Sequence, residues 1–200
     1  MGGRKKNIVL EKVLVEDYAA EGKSLARSDG KVIFIENAVP GDVVDVRLNK
    51  NKKDWAEGSA LHFHSFSGDR VEPFCSHFGV CGGCQWQMLP YEKQLQYKQR
   101  QVSDNLQRIG KVNLPPLMPI IGATDTKFYR NKVEYTFGTK EFTREKPLKI
   151  DQNDHQRFHE PVPHLDNPVK IAGYHAKGFF DKIVDIETCY LQAEPTNRIR

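Results

Sequence analysis

The sequence has no apolar run approaching the ~18 residues that a membrane-spanning helix needs. Its charged opening, MGGRKKN, lacks the apolar stretch of a signal peptide. These absences argue against a membrane or exported protein, and the expected compartment is the cytoplasm. Cysteine is scarce, with four in 200 residues. A chain of this length can bury a core without disulfides. In a reducing compartment its thiols are better read as metal ligands or catalysts. There is no internal repeat and no low-complexity tract. There is also no strong excess of one charge, since the formal net charge is only +4.

What is present is an ordinary soluble composition, 28% charged and 38% hydrophobic. Basic residues bunch in three places: Arg4-Lys5-Lys6, the run RLNKNKK from Arg47 to Lys53, and KFYRNK from Lys127 to Lys132. Aromatic residues lie close to the second and third. Basic patches interleaved with aromatics suit nucleic acid, and they equally suit solvated loops and strand ends.

After a basic tail at 1–7, residues 8–66 predict short strands. IVLEKVLVEDYA alternates in part, and KVIFIENAVPGDVVDVRLN is rich in β-branched residues around a Val39-Pro40-Gly41-Asp42 turn. Further turns fall at Glu21-Gly22-Lys23 and Ser28-Asp29-Gly30. Strands at this spacing predict a five-stranded barrel of about 60 residues. His62 and His64 lie two apart on one strand face, as surface or RNA-facing groups or as metal ligands. Residues 67–89 read as an irregular loop.

Pro90 then opens a helical pattern, with Tyr91, Leu95, Val102, Leu106 and Ile109 on one side and Gly110 as its stop. That pattern predicts an amphipathic helix lying on a core. Beyond LPPLMP, FYRNKVEYTFG reads as a strand. VKIAGYHAKGFFDKIVDIETCYLQ reads as two strands turned at Lys177-Gly178. Residues 139–168 between them are charged and proline-rich and read as an inserted loop. His155, His159 and His164 in that loop form a second possible metal set. The fold class is therefore mainly β with α: a small OB-like barrel over 8–66, then an α+β domain over 67–200.

The most informative stretch is CSHFGVCGGCQWQ. Cys75, Cys81 and Cys84 follow the spacing C-x5-C-x2-C. A C-x2-C pair lets two thiolates converge across a tight turn, and Gly82 and Gly83 keep side chains away from it. Soft-metal sites want four such ligands, and the remaining cysteine is Cys189. An iron–sulfur cluster, a structural zinc site (with His77 as a possible substitute ligand) and disulfides all stay open on spacing alone.

The loop in its fuller form, CSHFGVCGGCQWQMLPYEKQL, resembles the 23S rRNA (uracil-5-)-methyltransferases. Upstream, GKSLARSDGKVIFIENAVPGDVVDV is similar to that family's RNA-binding TRAM domain. Downstream, FYRNKVEYTFG and CYLQ continue the match, which covers most of residues 8–195. The resemblance implies a 4Fe-4S cluster on Cys75, Cys81, Cys84 and Cys189. It also implies RNA, 23S rRNA in particular, as partner of a monomeric protein with no membrane association. Arg47, Lys50, Lys52, Lys53 and Trp55 on the barrel are one candidate RNA contact. Phe128, Tyr129, Arg130 and Lys132 are the other, with Arg130 and Lys132 on the same face of a strand. The expanded 139–168 segment departs from the family pattern.

Methylation at uracil carbon 5 in that family uses a free cysteine thiolate, which adds to carbon 6, and S-adenosylmethionine as methyl donor. All four cysteines here are assigned to the cluster. No glycine-rich turn between a strand and a helix offers a donor pocket. The expectation is therefore an N-terminal, RNA-recognising piece that contains no catalytic or S-adenosylmethionine-binding residue and is inactive alone. The Rossmann-like methyltransferase domain is expected to be absent from this chain. A stand-alone, zinc-containing RNA-binding module is the alternative. A radical S-adenosylmethionine enzyme fits less well, because it would need C-x3-C-x2-C.

Overall fold

The computed structural model describes residues 8–142 and 171–199. The basic tail at 1–7, most of the 139–168 insertion, and His155, His159 and His164 lie outside the described residues. The chain divides into two compact units, Met1–Phe74 with Gln85–Thr124, and Cys75–Cys84 with Asp125–Arg200.

The first unit is built on one sheet. Its strands are β1 (Val9–Leu14), β2 (Asp17–Tyr18), β3 (Ser24–Ser28), β4 (Lys31–Glu36), β5 (Val43–Asn51) and β6 (Trp55–Ser65). Their order is β1-β5-β6-β4-β3-β2. All neighbours are antiparallel except β4 and β6, which run parallel. One face supplies Val13, Ala26, Ile33, Ile35, Val44, Val46 and Ala56 to a single buried cluster. Only strand residues and their connections fill that cluster, so the sheet curls around its own apolar face in a barrel-like manner. The five expected strands become six, because the two-residue β2 adds to the edge of β3.

The turns follow the local chemistry. Asp29 and Gly30 both have positive φ, +49° and +76°, between the paired residues Ser28 and Lys31. That is the two-residue hairpin turn that Asp-Gly favours. At Pro40-Gly41, Gly41 has φ +92° and Asp42 donates its N–H to the carbonyl of Val39 at 3.0 Å. Asp42 itself is fully buried. Its carboxylate accepts from the amides of Val39 and Ser67, both at 2.8 Å, and from Arg70 Nη2 at 2.6 Å. Four donors, counting Arg70 Nε at 3.3 Å, therefore satisfy a carboxylate sealed from water.

Helix α1 (Tyr91–Asp104) belongs to this unit and continues into a wider turn at Asn105–Ile109. The expected amphipathic contact holds only near its start. Gln94 donates to the carbonyls of Trp86 and Leu89, and Tyr97 meets Tyr18 with ring centroids 4.4 Å apart. Val102, Leu106 and Ile109 are exposed, so the apolar stripe is not a buried face along its whole length. Tyr18 also packs on Trp86 at 5.2 Å, which joins residues 85–124 to the barrel and cuts across the expected boundary at residue 67.

The second unit holds a three-stranded antiparallel sheet in the order β7 (Thr136–Gly138), β8 (Ile171–His175), β9 (Ile183–Asp185). A short helix, α2 (Thr196–Ile199), follows. Two expectations need correction here. FYRNKVEYTFG is a strand only over Thr136–Gly138, and Phe128, at φ +57°, is not extended. Arg130 and Lys132 therefore do not share a strand face. Cys189 lies in a loop beyond β9 and not on a strand.

Candidate metal centre and nucleic-acid interface

All four cysteines fall in the second unit, and all are free thiols. Cys189 is buried in a cluster with Ala176, Val184, Ile186 and Leu191, and Cys81 and Cys84 pack against it. The loop reaches this position through backbone bonds. Gly82 donates to the carbonyl of His175 at 3.2 Å, Lys177 donates to that of Val80 at 2.8 Å, and Cys81 pairs with Ala176 as an isolated bridge. These contacts lay the C-x2-C turn against the end of β8.

The two glycines have distinct uses. A Cβ on Gly82 would stand 3.1 Å from the His175 carbonyl, and one on Gly83 would stand 3.4 Å from Cys81 Sγ. Gly83 also donates its N–H to that sulfur at 3.3 Å. The stretch thus keeps side chains away from the thiol, as the sequence suggested, and also supplies a donor to it.

Burial pushes the Cys81 thiol up to about 11, with Cys84, Cys75 and Cys189 adding to the shift. Burial raises Cys75 as well, again with contributions from Cys84 and Cys189. Cys75 and Cys81 therefore resist ionising. A metal that binds them must displace their protons and supply compensating positive charge. Among the described residues, no three His, Cys, Asp or Glu side chains stand close enough to share one metal ion. Cys81, Cys84 and Cys189 share an apolar setting and Gly83 supplies one amide donor to Cys81, a donor set that fits a thiophilic metal group.

His77 is otherwise engaged. Its Nε2 accepts from the amide of Glu187 at 3.3 Å, which leaves Nδ1 facing Cys75 Sγ at 3.9 Å. It is a neighbour of the thiols and a poor substitute ligand. Two residues missed in the sequence brace Cys189. Asn197 accepts from the Cys189 amide at 2.8 Å and donates to its carbonyl at 3.3 Å, while the Tyr174 hydroxyl lies 3.7 Å from its sulfur. No periodicity marks Asn197; only its place in α2 brings it there.

The candidate RNA residues fall in both units. In the first, Lys50 is exposed and salt-bridged to Glu57 at 2.8 Å. Arg47 pairs with Ser59 in the β5–β6 ladder. Lys52 and Lys53 form the turn before Trp55, and Lys52 donates its amide to the Trp55 carbonyl at 2.9 Å. His64 bonds Asp45 at 2.7 Å and meets His62 edge to face, so this pair is tied into the barrel surface. In the second unit, Phe128 and Tyr129 are exposed. Lys132 pairs with Glu134 at 2.6 Å, largely in solvent.

Among the described residues no helix is long and apolar enough to cross a membrane. Residues 10–61 match the TRAM domain family. Along 91% of its length the chain is 46% identical to an "Uncharacterized RNA methyltransferase" of Bacteroides thetaiotaomicron, of which it covers 37%. It is 41% identical over 93% of its length to a protein of the same name from Porphyromonas gingivalis, covering 38% of it. A third, from Chlorobaculum tepidum, is 35% identical over 98% of the chain, again with 38% covered. The chain thus spans little more than a third of the length of the curated relatives it matches. The chain is thus similar to proteins named as RNA methyltransferases over that share of their length, and its residues 10–61 match the TRAM domain.

Proposed function

We propose that this chain is the RNA-recognising, iron–sulfur-binding part of an S-adenosylmethionine-dependent methyltransferase that acts on carbon 5 of a uracil in 23S rRNA. The observation that carries the reading is the meeting of Cys189 with Cys81 and Cys84 in one apolar cluster. In a 4Fe-4S cluster each thiolate binds its own iron, whereas zinc draws four thiolates to one point at about 2.3 Å. Once bound, such a cluster would cross-link the Cys75–Cys84 loop to the Cys189 segment.

The residues around it have a mechanical role. Lys127, Phe128 and Arg130 lie beside Tyr190 and Leu191, and Lys127 Nζ sits 5.2 Å from the centre of the Tyr190 ring. Exposed aromatics and cations of this kind grip single-stranded RNA by stacking and phosphate contact. Methyl transfer by the polar route needs no electron, so a structural clamp is the simplest use of the metal.

The test is RNA binding by anaerobically purified protein. A brown protein with broad visible absorbance that binds single-stranded RNA with a negative salt slope supports the reading. A colourless zinc protein that binds RNA equally well would favour the stand-alone zinc module.

A further inference from the structure

The outward face of β4 and β6 carries a feature that the cysteine site does not use. Val32 lies opposite Trp55 and Phe34 opposite Glu57 in this parallel pair. Their chain neighbours Ile33, Ile35 and Ala56 are buried. Alternation therefore turns Val32, Phe34, Trp55 and Glu57 to the opposite face. With Asp54 they line a concavity of about 380 Å³. The hollow is shallow and open to solvent. The Phe34 and Trp55 rings meet edge to face at 6.4 Å.

The two carboxylates of this pocket differ. Glu57 is held by Lys23 at 3.2 Å and Lys50 at 2.8 Å, so its charge is already compensated. Asp54 is exposed, and its carboxylate has no hydrogen bond or ion pair among the described residues, although it directly follows Lys52 and Lys53. An ionised carboxylate only accepts hydrogen bonds. It therefore selects a ligand edge that displays donors.

We propose that this concavity takes one unpaired guanine of a bound RNA strand. The base packs on Trp55 and Phe34, its N1–H and exocyclic amine donate to Asp54, and the flanking phosphates lie against Lys50, Lys52 and Lys53. Of the four bases only guanine offers two adjacent donors on its Watson–Crick edge. Adenine and cytosine offer an amine beside an acceptor nitrogen, and uracil offers one N–H between two carbonyls. An apolar hollow bordered by cations matches a stacked base beside phosphates better than an apolar protein surface. The inference rests on the RNA-binding reading above and adds a base preference to it.

The test uses fluorescently labelled oligouridines whose central base is U, A, C or G, titrated with the chain at fixed salt. The G oligomer should bind about tenfold more tightly than the U oligomer. Asp54→Asn should bring that ratio to about twofold or less. Trp55→Ala should weaken binding of every oligomer about tenfold, and Trp55→Phe should restore most of it. RNA binding without a G preference in the natural chain, or a preference that survives Asp54→Asn, overturns the pocket while leaving the RNA-binding reading intact. Failure to bind any oligomer overturns both.

Discussion

Arg130 donates its backbone N–H to the carbonyl of Leu191 at 2.9 Å, and two residues earlier Phe128 donates to Tyr190 at 2.7 Å. The acceptors, Tyr190 and Leu191, are the first and second residues after Cys189. Whatever holds Cys189 in place therefore also holds the backbone that presents Phe128, Tyr129 and Arg130. Cys189→Ser should release that segment. Amide exchange at Phe128 and Arg130 should accelerate at least about tenfold, while Ile33 and Val46 in the barrel core stay protected. Unchanged exchange at Arg130 would show that the segment is held independently of the cysteine.

Arg130 and Lys132 are candidates for phosphate contact. Alanine at either should weaken single-stranded RNA binding uniformly across sequences and lower the salt slope by about 1. The Lys132–Glu134 pair is largely exposed, so breaking it to reach a phosphate costs little. Anisotropy titrations across a salt series check this. An unchanged slope for both variants would remove them from the interface.

Asp42 is the most consequential polar group of the barrel unit. Asp42→Ala strands Arg70 and the amides of Val39 and Ser67, and should cost about 3–5 kcal/mol in urea unfolding. Glu16→Ala removes the exposed Arg27–Glu16 pair and should cost about 1 kcal/mol or less. Equal losses would mean that burial does not set the value of these pairs.

Asp45 links the barrel to pH. Burial alone would raise its pKa, but the Lys12 amide at 2.8 Å and His64 at 2.7 Å outweigh it and hold the carboxyl below its usual 3.8. A lowered folded value gives stability that is complete above the unfolded value and lost as pH falls through the folded one. Asp45→Asn should therefore be less stable than the natural chain at pH 6, and the two should converge below about pH 3. Melting curves over that range test it; a constant difference down to pH 2 would contradict it.

Much of the barrel could be read from its residues. Val44-Val46 and Ile33-Ile35 alternate into the core, and Asp29-Gly30 and Pro40-Gly41 are turns with their own chemistry. The parallel β4–β6 pairing could not be read, because alternation says which face is buried and not which strand lies beside which. Helix α1 misled in its second half, where Val102 and Ile109 repeat at helical spacing yet face solvent. The strand expected from Phe128 forms only over Thr136–Gly138, where it pairs with β8. Cys75, Cys81 and Cys84 were legible by their spacing, and the structure packs Cys81 and Cys84 with Cys189. Their braces were not: Asn197 and Tyr174 reach Cys189 only through tertiary structure, and no spacing announces them.

The most direct measurement is iron, sulfide and zinc content of anaerobically purified protein, natural and Cys189→Ser. The account predicts about four irons and four sulfides per natural chain and loss of most of both in the variant. One zinc per chain without sulfide, or a full iron content that survives Cys189→Ser, would contradict it.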